Sequence, residues 1–270
     1  MKTIVLANHK GGCAKTTTAL NMAVALAAKG ARVLAVDLDL QGNLSAALGA
    51  DLAELESTRK TVHRMLLDQS ADFSEYIYHS RPRLDVLPAS LDSEVAPALD
   101  SMVVSRELRL KDKLAPAHNH YDYCVIDTPP ALGVPTMNGL VVADLVIIPI
   151  ETSLFALLGL TQLLRVVAQV RQAHSPDQFV MALSTIHAAR QNLDKQVRAE
   201  IIEKFTEEFV FRTAIPRLVS IGEATASLKA VVEIDPSSPA TLAFYQLIRE
   251  IKDLIGDEKA TAAGHQRIVK

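Results

Sequence analysis

The run Lys10-Gly11-Gly12-Cys13-Ala14-Lys15-Thr16-Thr17 constrains this chain more than any other part of it. It follows a short apolar run, Thr3 to Ala7, and leads into an Ala- and Leu-rich stretch from Thr16 to Lys29 that reads as a helix stopped at Gly30. A glycine-rich loop between a strand and a helix lets backbone N–H groups curl toward one point, and the positive helix end adds to their pull on an anion. Lys15 is placed to bridge the outer phosphates of a nucleotide, and the Thr16 hydroxyl to hold Mg²⁺. The strict Walker A pattern needs glycine at positions 9 and 14, where this chain has His9 and Ala14. On the loop alone, a Gly-Gly turn before a helix that contains Lys-Thr by chance is the competing reading.

The downstream strands weigh against chance. Arg32 to Val36 reads as a second strand ending in Asp37-Leu38-Asp39, which makes a parallel, right-handed βαβ unit with the first. Tyr121 to Ile126 is an apolar run ending in Asp127-Thr128-Pro129-Pro130, and Leu145 to Ile150 is another ending in Glu151. Mg²⁺ keeps much of its water, so a nucleotide site of this kind needs carboxylates at neighbouring strand ends. Asp37, Asp39 and Asp127 are the candidates. One acid after a strand means little; acids closing two strands behind a phosphate loop are a much rarer coincidence.

The rest of the chain keeps the alternation. Residues 42–80 mix short helical patterns with polar positions, Leu84 to Leu87 reads as a strand, and Ser90 to Ala115 reads as helical. A helix from about Phe155 to Ala173, a strand from Phe179 to Thr185, a helix from about Leu193 to Phe205, a short strand near Phe209 to Phe211 and a helix from about Pro239 to Ile255 follow. The expected fold is a doubly wound α/β domain, a mostly parallel sheet with helices on both faces, over residues 1–255, with 256–270 a flexible tail. The apolar share of 49% with no Trp suits buried Val, Ile, Leu and Ala strands.

Composition also narrows the setting. Cys13 and Cys124 lie in a loop and an apolar run, with no CxxC pair, which speaks against a disulfide framework and an iron–sulfur centre and for a reducing cytoplasm. Ile4 to Ala7 is too brief for a secretory leader, and Leu140 to Ile150 is far short of the roughly 20 residues that span a bilayer. The eight histidines show no metal-ligand spacing. The net charge of −3 means that any contact with nucleic acid must come from a local patch.

These motifs together resemble the ParA/MinD group of P-loop ATPases, whose deviant Walker A has the form KGGxGKT[ST]; here it reads KGGCAKTT. VDLDLQGNLS is similar to that group's DxDPQGN switch, and YDYCVIDTPP to its Walker B strand. Ala189-Arg190-Gln191-Asn192-Leu193, Ala214-Ile215-Pro216-Arg217, Gly222-Glu223-Ala224 and Glu233-Ile234-Asp235-Pro236 resemble later motifs of the short ParA branch that lacks an N-terminal helix-turn-helix. The resemblance runs from Lys2 to about Ile255 and implies a slow Mg²⁺-dependent ATPase that pairs as a homodimer on ATP. It further implies non-specific DNA binding by the dimer, stimulation by a ParB-like adaptor, and a cytoplasmic protein held on the nucleoid when ATP is bound.

Carried over residue by residue, the resemblance makes Lys10 the lysine that reaches across the dimer to the partner's nucleotide. It makes Asp39 the residue that orients the attacking water, Asp127 a holder of Mg²⁺ through water, Asp37 a support of the magnesium shell, and Thr17 a contact of the α-phosphate. The implied nucleotide contacts are Gly11, Gly12, Cys13, Ala14, Lys15, Thr16, Thr17 and Pro216. Glu151 is expected to reach ribose or the partner, or else to cap a helix before Phe155. Ala14 replaces a glycine and is strained if that position needs positive φ, harmless if not. Leu40 stands where proline is usual, and Ser220 and Ser237 stand where arginine is expected, which bears on the strength of DNA binding.

For DNA the candidate cations are Arg190, Lys195, Arg198 and Arg217, weighed against ordinary solvated charges, since acids are about as numerous nearby. Only a dimer that aligns two copies of such a patch would bind well. A MinD-like membrane role needs an amphipathic terminal helix, and Ala260 to Lys270 offers only Ile268 and Val269. Two alternatives stay open: a ParA-like protein that positions a protein cargo or microcompartment over the nucleoid, and a small-molecule P-loop enzyme of the dethiobiotin synthetase kind.

Overall fold

The computed structural model describes residues 1–152, 160–188, 192–217 and 219–256. Among the described residues seven strands form one sheet: β1 (Lys2–Leu6), β2 (Val33–Asp37), β3 (Tyr78–Arg81), β4 (Leu84–Leu87), β5 (Tyr123–Asp127), β6 (Leu145–Glu151) and β7 (Phe179–Thr185). Their order is β3-β4-β2-β5-β1-β6-β7, parallel throughout except for the β3/β4 pair at one edge. The helices in chain order are α1 (Lys15–Ala28), α2 (Asn43–Ala47), α3 (Leu52–Thr58), α4 (Val62–Leu67), α5 (Val95–Asp100), α6 (Arg109–Leu114), α7 (Val134–Val142), α8 (Leu160–Ala173), α9 (Asn192–Phe205), α10 (Val219–Ala226), α11 (Val231–Ile234) and α12 (Pro239–Gly256).

The central strands are apolar on both faces, so side chains alternate between two cores. Val33 and Ala35 of β2 join Ile4, Leu6, Val125 and Ile147 against α1 and α12. Leu34 and Val36 join Val5, Ile126 and Val146 against α4, α7 and α8 on the other side. The sheet is therefore covered on both faces, as the apolar composition requires.

Two features of the topology go beyond the local pattern. The first βαβ unit is parallel, but β5 is inserted between β1 and β2 and hydrogen-bonds to both. Leu6, Asp127 and Asp37 thus end three adjacent strands in register. The edge strand β3 is polar, Tyr-His-Ser-Arg, and gave no alternating apolar signal.

Some expected elements differ. The helical stretch Ser90 to Ala115 breaks into α5 and α6, with Ser105 in the left-handed region between them. Near Phe209 to Phe211 there is a short 3-10 turn, Glu207–Phe209, and a single bridge, Ala182 to Val210, in place of a strand. The start of the helix expected from Phe155 and the tail 257–270 lie outside the described residues.

Candidate functional site

The phosphate loop leaves β1 over the carboxyl ends of the central strands and is pinned from both sides. Asn8, buried, donates from Nδ2 to Pro149 O at 2.7 Å and accepts from Lys10 N at 3.1 Å. Thr185 Oγ1 at the end of β7 donates to Cys13 O at 3.0 Å. Cys13 is fully buried, its thiol donates to Lys10 O at 3.2 Å, and burial pushes its pKa up. The thiol is a packing group here, and the loop contributes its backbone.

At the tip, Gly11 and Gly12 are exposed and Gly12 takes a φ of 78°. Ala14 also lies in the left-handed region, with φ 67° and ψ 34°, and its carbonyl accepts from Thr18 N at 3.0 Å and Thr18 Oγ1 at 2.6 Å. This resolves the question raised by the glycine-to-alanine departure: the position does need positive φ, and the alanine is strained. Helix α1 begins at Lys15 with no side-chain cap and no acid in its first turn, so its first N–H groups face the loop unopposed. Lys15 is buried with Nζ 3.4 Å from Lys10 O, while Thr16 and Thr17 are half-buried at the same end. Beside Ala14 and Thr17 a cavity of about 550 Å³ is walled by Ile186, Ile215, Pro216 and Ile221 and rimmed by Arg217.

Below the loop the three acids differ sharply. Asp37 and Asp127 face each other in register and are both fully buried. By strand alternation their side chains share the face of Ala35 and Val125, the α1 side. Asp37 accepts from Ser45 Oγ at 2.7 Å, Ser45 N at 2.8 Å and Asp39 N at 3.2 Å, which holds the start of α2 against the strand end. Neither oxygen of Asp127 meets a donor in hydrogen-bonding geometry. Burial, reinforced by the neighbouring Asp37 charge, raises the Asp127 pKa well above the carboxylate range, and the nearby Thr16 hydroxyl and Lys15 ammonium offset this only in part. Burial raises Asp37 as well, against its hydrogen bonds from Ser45. Asp39 is half-exposed and accepts from Gln41 N at 3.1 Å, and Gly42 N donates to its carbonyl at 2.9 Å. These bonds form the turn that a proline at position 40 would otherwise stiffen.

A histidine that the sequence did not single out holds this switch segment. His63 is fully buried, its Nε2–H donates to Leu38 O at 3.1 Å between Asp37 and Asp39, and its Nδ1 accepts from Ser90 N at 3.2 Å. Burial lowers its pKa to about 4, so the ring is neutral and both bonds are satisfied in one tautomer. No motif marks it, because the partner is a backbone carbonyl 25 residues away.

Lys10 turns toward its own chain. Its ammonium lies 3.2 Å from Glu151 Oε2, and Arg217 approaches Glu151 Oε1 at 3.8 Å. Glu151 thus ties the loop lysine to the rim of the cavity. Among the described residues no three His, Cys, Asp or Glu side chains converge as a protein-only metal site.

The candidate DNA contacts separate. Lys195 on α9 and Arg217 are exposed. Arg198 is a correction: its guanidinium turns inward and donates to Ser184 Oγ at 3.0 Å, Phe211 O at 3.2 Å and Arg212 O at 2.9 Å, which commits it to the fold. Arg190 lies outside the described residues. Ser220 is half-buried on α10, and Ser237 caps a turn by donating to Asp235 Oδ1.

Known proteins resemble this chain in sequence and in fold. The family described as an AAA domain matches residues 1–180. The sporulation initiation inhibitor protein Soj of Bacillus subtilis is 38% identical over 252 residues, covering 93% of this chain and 98% of Soj. The chromosome partitioning protein ParA of Caulobacter vibrioides is 35% identical over 266 residues, 97% of this chain and 98% of that protein. Among solved structures, a protein titled cobyrinic acid a,c-diamide synthase from Mycobacterium smegmatis, with bound ATP analog and magnesium, is 35% identical with a TM-score of 0.74, covering 84% of this chain and 94% of that one. No described helix is long and apolar enough to cross a membrane.

Proposed function

Because the chain belongs to the ParA/Soj family of P-loop ATPases, we propose that it binds Mg·ATP at the ends of β1, β2 and β5, pairs on ATP with a second copy, and as that dimer segregates or positions DNA. The observation that carries this reading is Asp127, fully buried at a strand end beneath the phosphate loop, with no donor in hydrogen-bonding geometry on either oxygen and the Thr16 hydroxyl and Lys15 ammonium near it. A carboxylate left so costs several kcal/mol unless a cation or its water shell faces it. The residues present therefore fit Mg²⁺: the Thr16 hydroxyl with Asp127 and Asp37 would hold it. The ion would supply charge neutralisation at the outer phosphates.

The remaining steps belong to the chain's own groups. The first-turn N–H groups of α1 and the Lys15 ammonium bind the phosphates. Asp39, half-exposed and oriented by Gln41 N–H, positions the attacking water. Ile186, Ile215 and Pro216 exclude water from the base. Lys10 leaves Glu151 when two chains meet and places its charge on the partner's nucleotide, where it offsets charge developing in the transition state. Since that lysine is held within its own chain, hydrolysis is slow without a partner, and an adaptor of the ParB type has a step to accelerate. The DNA-facing cations are Lys195 and Arg217, with Arg190 shortly before Lys195 in sequence. On this reading the protein is cytoplasmic and nucleoid-bound when ATP-loaded.

The test is the mass of the protein in solution with Mg·ATP, for the wild type and for Lys10→Ala and Lys15→Ala. The reading predicts an ATP-dependent dimer for the wild type, nucleotide binding without a stable dimer for Lys10→Ala, and neither for Lys15→Ala. Tight ATP binding by Lys15→Ala contradicts the loop assignment. A second reading, a small-molecule enzyme, is favoured by the name of the Mycobacterium smegmatis structure. It predicts a wild type that stays monomeric and turns over rapidly with a metabolite.

A further inference from the structure

One carboxylate outside the phosphate site gathers the ends of two strands and a helix. Asp194, 3% exposed in the first turn of α9, accepts through a single oxygen, Oδ1, from Thr152 Oγ1 and from Ala188 N at 2.9 Å. The His187 ring lies 3.6 Å from the same oxygen. Thr152 directly follows Glu151 at the end of β6, and Ala188 follows the bend that closes β7. That bend is strained: Ile186, a β-branched residue, has a φ of 52°.

The bend has a direct consequence for the cavity beside Thr17. Ile186 forms one wall of it and Pro216 another. The two walls are fixed to each other by His187 N donating to Ile215 O and Arg217 N donating to His187 O, both at 2.9 Å. Among the described residues the side-chain acceptor at the bend is the Asp194 oxygen, which holds Ala188 N–H and, through Thr152, the end of β6. One turn further along α9, Arg198 binds Ser184, Phe211 and Arg212, so that both segments framing the cavity are tied to the same helix.

We propose that Asp194 is a positioning residue for the nucleotide base: it clamps the strained Ile186 bend in the form that walls the cavity, and the preference for ATP over other nucleoside triphosphates depends on that clamp. The proposal rests on the ATP reading above. Asp194 itself touches no nucleotide. It acts by keeping Ile186 and Pro216 at the spacing a base requires, while the phosphates are held elsewhere by the loop and α1.

The experiment compares the affinities of ATP, CTP and inorganic tripolyphosphate, each with Mg²⁺, for the full chain and its variants. The wild type is expected to prefer ATP to CTP and to tripolyphosphate. Asp194→Ala should weaken ATP by about tenfold, the scale of one lost buried hydrogen bond, and leave tripolyphosphate within about twofold. Asp194→Asn keeps an acceptor oxygen and should restore the preference. Thr152→Val removes only one donor and, should Asp194→Ala fail to fold, must still lower the ATP-to-CTP ratio in the same direction. An unchanged ratio in these variants, or equal losses for all three ligands, overturns the proposal. A wild type that binds tripolyphosphate as tightly as ATP overturns it through the ATP reading itself.

Discussion

Substituting Ala14 offers a test in which the sign of the answer decides the matter. Its φ of 67° and ψ of 34° place an alanine where an L-residue pays roughly 1–2 kcal/mol for the approach of Cβ to the carbonyl. Glycine removes that strain but gives the unfolded chain more freedom, at a cost of about 0.4–1 kcal/mol. Ala14→Gly should therefore stabilise the nucleotide-free protein by about 0.5–1 kcal/mol, a rise in melting temperature of roughly 1–4 °C for a chain of this size. Valine, β-branched, fits the left-handed region worst, so Ala14→Val should fall below the wild type by at least about 1 kcal/mol. Urea unfolding at constant slope reads all three. The order Gly above Ala above Val is required. If Ala14→Gly instead loses about 1 kcal/mol, as glycine does in ordinary backbone, the loop geometry is wrong.

The buried acids predict a pH-dependent gain. Because burial raises the folded pKa of Asp127, its charge destabilises the nucleotide-free protein above that folded pKa, and the penalty vanishes as pH falls toward the ordinary carboxylate value near 4. Asp127→Asn should thus be more stable than the wild type at pH 7.5, by about 1.4 kcal/mol for each unit of displacement, with the gain shrinking by pH 5 while Mg²⁺-dependent hydrolysis is lost. His63 has the opposite sign. Its pKa is lowered to about 4, so the wild type loses stability as pH falls from about 6.5 toward 4, by up to about 3 kcal/mol, and chemical denaturation of His63→Gln should lack that slope. Arg198→Ala should lower stability by about 1–3 kcal/mol and leave the salt slope of DNA binding unchanged, whereas Lys195→Ala should reduce that slope by about one per chain of the dimer with stability intact.

What the sequence made legible was local. The phosphate loop and the acids ending β2 and β5 could be read because each is a short signal at a strand end, and their chemistry follows from residue type. That β5 lies between β1 and β2, and so sets Asp37 against Asp127, is a pairing of segments some 90 residues apart that no local pattern encodes. The polar strand β3 was missed for want of apolar alternation, and α7 because its buried run gives no amphipathic stripe. Arg198 misled because a cation in a mixed-charge helix looks solvated until the carbonyls that surround it are known. His63 and Asp194 were invisible for the related reason that each acts on backbone brought from elsewhere in the chain. At Ala14 the sequence shows the missing glycine but not the φ, which depends on how the loop closes onto α1.

The central claim is that ATP converts this chain into a DNA-binding dimer, and the most direct measurement uses Asp39→Ala, which should bind ATP without hydrolysing it. DNA binding by that protein with ATP, with ADP and without nucleotide, at one fixed low salt concentration and alongside its mass in solution, reads both halves of the claim. The account predicts a dimer that holds DNA with ATP alone. A protein that stays monomeric in all three states, or binds DNA equally in each, contradicts it.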